Sequence, residues 1–138
     1  MTTELTITRE IAPLPEPKAD AHKGNAGRVV VIGGSCTEIM MVGAPAMTAS
    51  AAFRTGSGLV QLFVPEPLRA SVAVLAPCAT IRSLPTTSEA LLSAVNEYRA
   101  DAIAVGPGLG RSIEPAVLID LLKKYTGPVV IDADGLNL

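Results

Sequence analysis

Ten residues, Asp101-Ala102-Ile103-Ala104-Val105-Gly106-Pro107-Gly108-Leu109-Gly110, constrain this chain more than any other stretch. An apolar run from Ala102 to Val105 stops at three glycines spaced two apart, with Pro107 between the first two. Such a run suits a strand buried on both faces, as in a parallel sheet covered by helices. Glycines directly after it admit positive φ and a close approach of the backbone to a partner. The following segment predicts a helix over Ile113–Tyr125, so the turn lies between a strand's carboxyl end and a helix N-terminus. Open α/β sheets bind anionic ligands at that position. A bare structural turn has the same glycine pattern, so this stretch alone leaves both readings open.

The rest of the chain repeats the alternation. Val29–Ile32 reads as a buried strand ended by Gly33-Gly34-Ser35. A helix is expected over Met40–Arg54, with Ala44, Met47, Ala51 and Arg54 on one face and Gly56 and Gly58 closing it. Leu59–Val64 follows as a strand, then a short helix from Pro65-Glu66-Pro67 to Leu75 and a strand over Ala79–Leu84. Thr87 or Ser88 caps a helix over Glu89–Arg99. After the central turn, Val117, Leu118, Leu121 and Leu122 form the core face of the next helix. Gly127-Pro128 breaks that helix, and Val129-Val130-Ile131 is a further buried strand. The pattern predicts an α/β fold: a doubly wound, mainly parallel sheet with helices on both faces. Residues 1–20, with Pro13, Pro15, Pro17 and weak β character at Leu5–Thr8, read as an extended arm, and residues 21–138 as the α/β unit. The last strand finishes close to Leu138, with no helix returning over that side of the sheet. The expectation is a fragment, or a chain whose missing layer comes from partners.

Composition narrows the function. Of 138 residues, 49% are apolar and 17% charged, enough for a core and too apolar for a disordered tail. A net charge of −2 supplies no basic patch, which argues against nucleic acid or an anionic membrane as partner. No leader and no apolar run of ~18 residues is seen, so a cytoplasmic protein is expected. Cys36 and Cys78 read as reduced, partly buried thiols.

Three turns each follow a strand: Gly33-Gly34-Ser35, Gly106 to Gly110, and Asp132 to Asn137. In a parallel sheet all carboxyl ends share one edge, so these turns converge on one crevice. Asp132 and Asp134 there suit hydroxyl recognition, metal binding or base chemistry, with helix capping as the plain alternative for Asp134. Lys23, Gly34 and Ser35 are candidates for phosphate contact, although Lys23 with Gly24 and Gly27 is not a P-loop. A solvated lysine is the plain alternative. His22, the only histidine, lacks partners at metal-ligand spacing and reads as a turn residue. No Ser-His-Asp set or nucleophile elbow is present, and Met40, Met41 and Met47 read as core filler.

Taken together, the segments resemble the ATP/ADP-dependent NAD(P)H-hydrate dehydratase family, of ribokinase-like fold. The matching stretches are His22-Lys23-Gly24 with Gly27-Arg28, Val29 to Ser35, Gly43-Ala44-Pro45, Ala51 to Val60, Asp101 to Gly110, and Pro128 to Asn137. The resemblance implies repair of hydrated NADH and NADPH: a nucleotide's terminal phosphoryl group passes to the substrate hydroxyl, and phosphate is then eliminated. It implies ATP or ADP and Mg2+ as cofactors. It implies substrate binding by Ala44, Gly106, Gly108, Gly110, Asp132 and Asn137.

Two departures stand out. The loop from Cys36 to Val42 is longer than the family's and lacks its frequent aromatic residue. The family's second half, with a His-Pro-Gly-Glu type turn and a Gly-Thr-Gly-Asp motif carrying the expected catalytic aspartate, is absent from these 138 residues. No catalytic residue and no metal ligand is therefore assigned in this chain, and activity would need a complementary C-terminal half. Self-association into a homo-oligomer is the other way to complete the sheet. A small-molecule kinase of the same superfamily and a non-catalytic binding or oligomerisation module are the alternative functions.

Overall fold

A computed structural model describes residues 16–138. The expected arm strand at Leu5–Thr8, with Pro13 and Pro15, lies outside the described residues. Five strands form one parallel sheet in the order β5-β4-β1-β6-β7. They are β1 (Arg28–Ile32), β4 (Leu59–Val64), β5 (Thr80–Ser83), β6 (Ala102–Val105) and β7 (Val129–Ile131). Between β1 and β4 lie a two-stranded antiparallel hairpin, β2 (Ser35–Cys36) with β3 (Met40–Met41), and helix α1 (Gly43–Arg54). Helices α2 (Arg69–Leu75), α3 (Ser88–Tyr98) and α4 (Pro115–Lys124) connect the later strands, and one turn, α5 (Asp134–Asn137), follows β7.

Strand β1 is central because Val30, Val31 and Ile32 are all fully buried and can only sit between neighbours on both edges. Its partners are β4, from Arg28↔Leu59 to Ile32↔Phe63, and β6, from Val29↔Ala102 to Ile32↔Val105. Strand alternation then divides the core. Val30, Ile32, Phe63, Ile103 and Val105 pack under α3 and α4 through Leu91, Val95, Leu118 and Leu121. Val31, Leu62 and Val64 pack under α1 and α2 through Ala46, Ala49 and Val72, with Leu68 from the turn that leads into α2. Each large side chain buried this way contributes roughly 1.5–3 kcal/mol.

Several expectations shift by a few residues, and some are corrected. Met40 and Met41 belong to the hairpin instead of α1, and the methionines expected in the core are exposed, Met40 at 63% and Met47 at 73%. The buried stripe of α1 is Pro45, Ala46 and Ala49, so the Ala44–Met47–Ala51–Arg54 stripe is not the core face. In an alanine-rich helix the periodicity is too weak to orient it. Gly56 does end α1: its N–H donates to Phe53 and that of Ser57 to Ala52, the Schellman pattern. Gly58 instead directly precedes β4, packed on the Lys23 carbonyl. Thr87 is the cap of α3, accepting from the Ala90 N–H. β7 is not a fully buried strand. Val130 is 65% exposed, on the sheet face that α1 and α2 leave bare beyond β1. Cys78 is exposed and only Cys36 is half-buried.

Two tyrosines mark the amino edge of the sheet. Burial pushes the Tyr98 and Tyr125 phenols above their ordinary value, and the nearby Asp101 carboxylate adds to the shift at Tyr125. The Tyr125 hydroxyl donates to the Ala100 carbonyl at 3.0 Å. His22 serves the turn Lys23–Asn25: its Nδ1 accepts from the Gly24 N–H, and its own N–H donates to Asn25 Oδ1.

Candidate functional site

The chain builds outward from β1 in both directions, first to β4 and β5 and then to β6 and β7. After β1 the chain crosses to the α1 face, and after β6 it crosses to the α4 face. The gap between the carboxyl ends of β1 and β6 is therefore the topological switch point of the sheet. The Gly33-Gly34-Ser35 and Gly106–Gly110 turns stand on either side of it, with the Asp132–Asn137 turn next along the same edge.

The three turns are locked together by backbone. The Gly34 N–H donates to the Pro107 carbonyl at 3.1 Å, and the Gly106 N–H to the Ile32 carbonyl at 3.0 Å. Gly106 has φ 116° and faces the Asp132 carbonyl so closely that a Cβ would be driven into it. A Cβ on Gly108 would lie 3.0 Å from Met41 Cβ and 3.2 Å from Ala44 Cβ, and one on Gly110 would lie 2.8 Å from Ser35 Oγ. Asp134 Oδ2 accepts from the Gly110 N–H at 2.8 Å.

This geometry places the expected residues as follows. Ala44, Gly34, Ser35, Gly106, Gly108, Gly110, Asp132 and Asn137 share one rim. Asp132 and Asn137 are exposed there, whereas Gly106 and Gly108 are buried, Gly108 under Met41 of the hairpin. Ser35 is 2% exposed and its hydroxyl pairs with that of Thr37 at 3.1 Å, so it packs beneath the turn. Lys23 does not join the group. It precedes β1 and its carbonyl meets Gly58 just before β4, which puts it at the opposite, amino edge of the sheet. Asp134 is not a cap: Ala133 occupies the capping position of α5, and the carboxylate reaches across to Gly110.

A second feature of the carboxyl edge lies at the far strands. Glu66 meets the Ser83 hydroxyl and pairs with Arg69 at 2.9 Å. The Ser83 hydrogen bond, with help from Arg69, holds its carboxyl below the usual value. A groove of about 560 Å³ runs from there between α2 and β5, lined by Ala70, Ala73, Ala79 and Ile81. It is an open groove, and its charged lining residues, Glu66 and Arg69, are already engaged with each other and with Ser83. The interlocked turns are the better candidate, because there polar groups from separate strands converge.

Comparison with known proteins decides the family. The NAD(P)H-hydrate dehydratase family model matches residues 29–138. The chain belongs to the NAD(P)H-hydrate dehydratase family. It is 38% identical over 132 residues to the bifunctional NAD(P)H-hydrate repair enzyme Nnr of Salinibacter ruber, covering 89% of this chain and 24% of the relative. It is 36% identical over 126 residues to the ATP-dependent (S)-NAD(P)H-hydrate dehydratase of Ixodes scapularis, covering 89% of this chain and 39% of the relative. Among solved structures, it is similar to the ADP/ATP-dependent NAD(P)H-hydrate dehydratase of Bacillus subtilis co-crystallised with ATP/Mg2+. That match has a TM-score of 0.65 and 26% identity, covering 89% of this chain and 43% of that one. A ribokinase-like superfamily protein of Enterococcus faecalis matches with a TM-score of 0.70 and 25% identity, over 88% of this chain and 42% of that one. The fold is thus ribokinase-like, and this family member spans less than half the length of the relatives and solved structures named here.

The described residues form no dedicated cage for the implied Mg2+. No group of three or more His, Cys, Asp or Glu among them is placed to hold a metal. Asp132 and Asp134 are neighbours on the rim, yet Asp134 Oδ2 is already engaged by Gly110. Among the described residues no helix is long and apolar enough to cross a membrane.

Proposed function

We propose that this chain supplies the substrate-side half of a dehydratase acting on hydrated NADH and NADPH, driven by ATP or ADP. The observation that carries the reading is the meeting of three strand-end turns at the switch point, in a chain of this family. A dinucleotide laid across that rim meets Ala44 and the Gly106–Gly110 turn on one side, and Asp132 and Asn137 on the other. The two exposed polar side chains suit hydroxyl and amide recognition, since a carboxylate accepts and an amide does both. The bare face around Val130 suits a second copy or a complementary half, and only the latter would also bring the nucleotide, the metal and the catalytic base.

The test is consumption of hydrated NADH, followed by the recovery of NADH absorbance with ATP or ADP and Mg2+. The expected result is binding of the dinucleotide by the chain alone, and turnover only when a segment carrying Gly-Thr-Gly-Asp is added. Nucleotide-dependent turnover by the chain alone would contradict the assignment of the base to the other half.

A further inference from the structure

Many backbone amides of the rim are unavailable to an anion, although those of Gly108, Arg111, Ala133 and Asp134 have no protein acceptor among the described residues. Gly33 donates to Phe63, Gly34 to Pro107, Gly106 to Ile32, Leu109 to Gly106 and Ser112 to Leu109, all carbonyls of the protein itself. Gly110 donates to Asp134 Oδ2, and Pro107 has no N–H. The turn is therefore not an open nest of the P-loop kind. The exposed Asp132 carboxylate would also repel a phosphate. A cation beside the few remaining amides would offset that repulsion and hold a phosphate-bearing ligand at this rim.

Among the described residues the topology leaves one suited to the task, since Lys18 leads into the Lys23 turn and Lys123 sits in the last turn of α4. Lys23 and Arg28 precede or open β1, and Arg54, Arg99 and Lys124 close helices that run away from the rim, so all five lie toward the amino edge. Arg69 and Arg82 are paired with Glu66 and Glu97. Arg111 directly follows Gly110, is exposed, and has no hydrogen bond or ion pair among the described residues. Its backbone is anchored from one side by the Asp134–Gly110 contact while its guanidinium is unengaged. We infer that Arg111 is the phosphate-binding residue of this rim, holding a phosphate ester of the ligand through its planar fork. This rests on the dinucleotide reading above, but the anion site can be tested separately from it.

The experiment is calorimetric titration of the full chain with inorganic pyrophosphate, NADH and NADPH, for wild type, Arg111→Ala, Arg111→Lys and Lys23→Ala. Because the side chain is exposed, the variants are expected to melt with the wild type. The expected result is a loss of about tenfold in affinity for Arg111→Ala, a partial loss for Arg111→Lys and none for Lys23→Ala. Equal losses for NADH and NADPH place the bridging pyrophosphate on Arg111, and a loss confined to NADPH places its 2′-phosphate there. Arg111-dependent binding of pyrophosphate without binding of either dinucleotide upholds the anion site and removes the dinucleotide reading. Unchanged affinity in Arg111→Ala, or no binding of any probe by the wild type, overturns the inference.

Discussion

Gly106→Ala is expected to lose about 3–5 kcal/mol of stability in urea unfolding, more than most single substitutions cost. Two effects add. At φ 116° the backbone is outside the region that L side chains adopt, which costs on the order of 1–3 kcal/mol. The new methyl is also driven into the Asp132 carbonyl, within 3 Å of the Gly135 backbone, and overpacking of that kind costs about 1–3 kcal/mol. Neither neighbour can yield easily, because the Asp132 N–H is tied to Val105 and its carbonyl accepts from Gly135. The control is Gly43→Ala in the first turn of α1, where a Cβ meets nothing; its stability should stay within about 0.5 kcal/mol of wild type. Near wild-type stability for Gly106→Ala would mean that the β6 and β7 turns do not interlock.

Asp134 gives the second large effect. Removing its carboxylate in Asp134→Ala leaves the Gly110 N–H without its partner, and a hydrogen bond to a charged group is worth about 1.5–3 kcal/mol. Asp134→Asn keeps an acceptor and should recover most of the loss. The site-specific readout is hydrogen exchange at the Gly110 amide, expected to speed up at least about tenfold in Asp134→Ala and much less in Asp134→Asn. If Asp134 merely capped the last helical turn, exchange would rise at Leu136 and Asn137 and stay unchanged at Gly110.

Much of the sheet was legible because its strands are written as short apolar runs between turn residues. Leu59–Val64 and Val129–Ile131 were read to the residue. The ribokinase-like order of the turns was legible from several motifs taken in order and not from any one of them. The hairpin was not: Ser35-Cys36 and Met40-Met41 pair over two residues each, too short for any periodicity, and they sit against a helix start. Asp134 shows a different limit. A carboxylate before Gly-Leu has the local grammar of a cap, and only the packing of β7 beside β6 brings it to Gly110. The displacement of Lys23 from the rim was legible in principle, since a residue preceding a parallel strand lies at the amino edge. Arg111 also carried a signal, as a cation adjoining the last glycine of the turn, but its lack of a partner among the described residues could only be seen once the fold was in place.

The most direct measurement is a map of backbone amide shifts on adding NADPH to the isotopically labelled chain. Perturbations are expected at Gly34, Gly106, Gly108 to Arg111, and Asp132 to Asn137, the residues that the switch point draws together. Shifts confined to Lys23–Gly27 at the amino edge, or to Ala70–Ile81 along the α2 groove, would contradict a dinucleotide site on this rim.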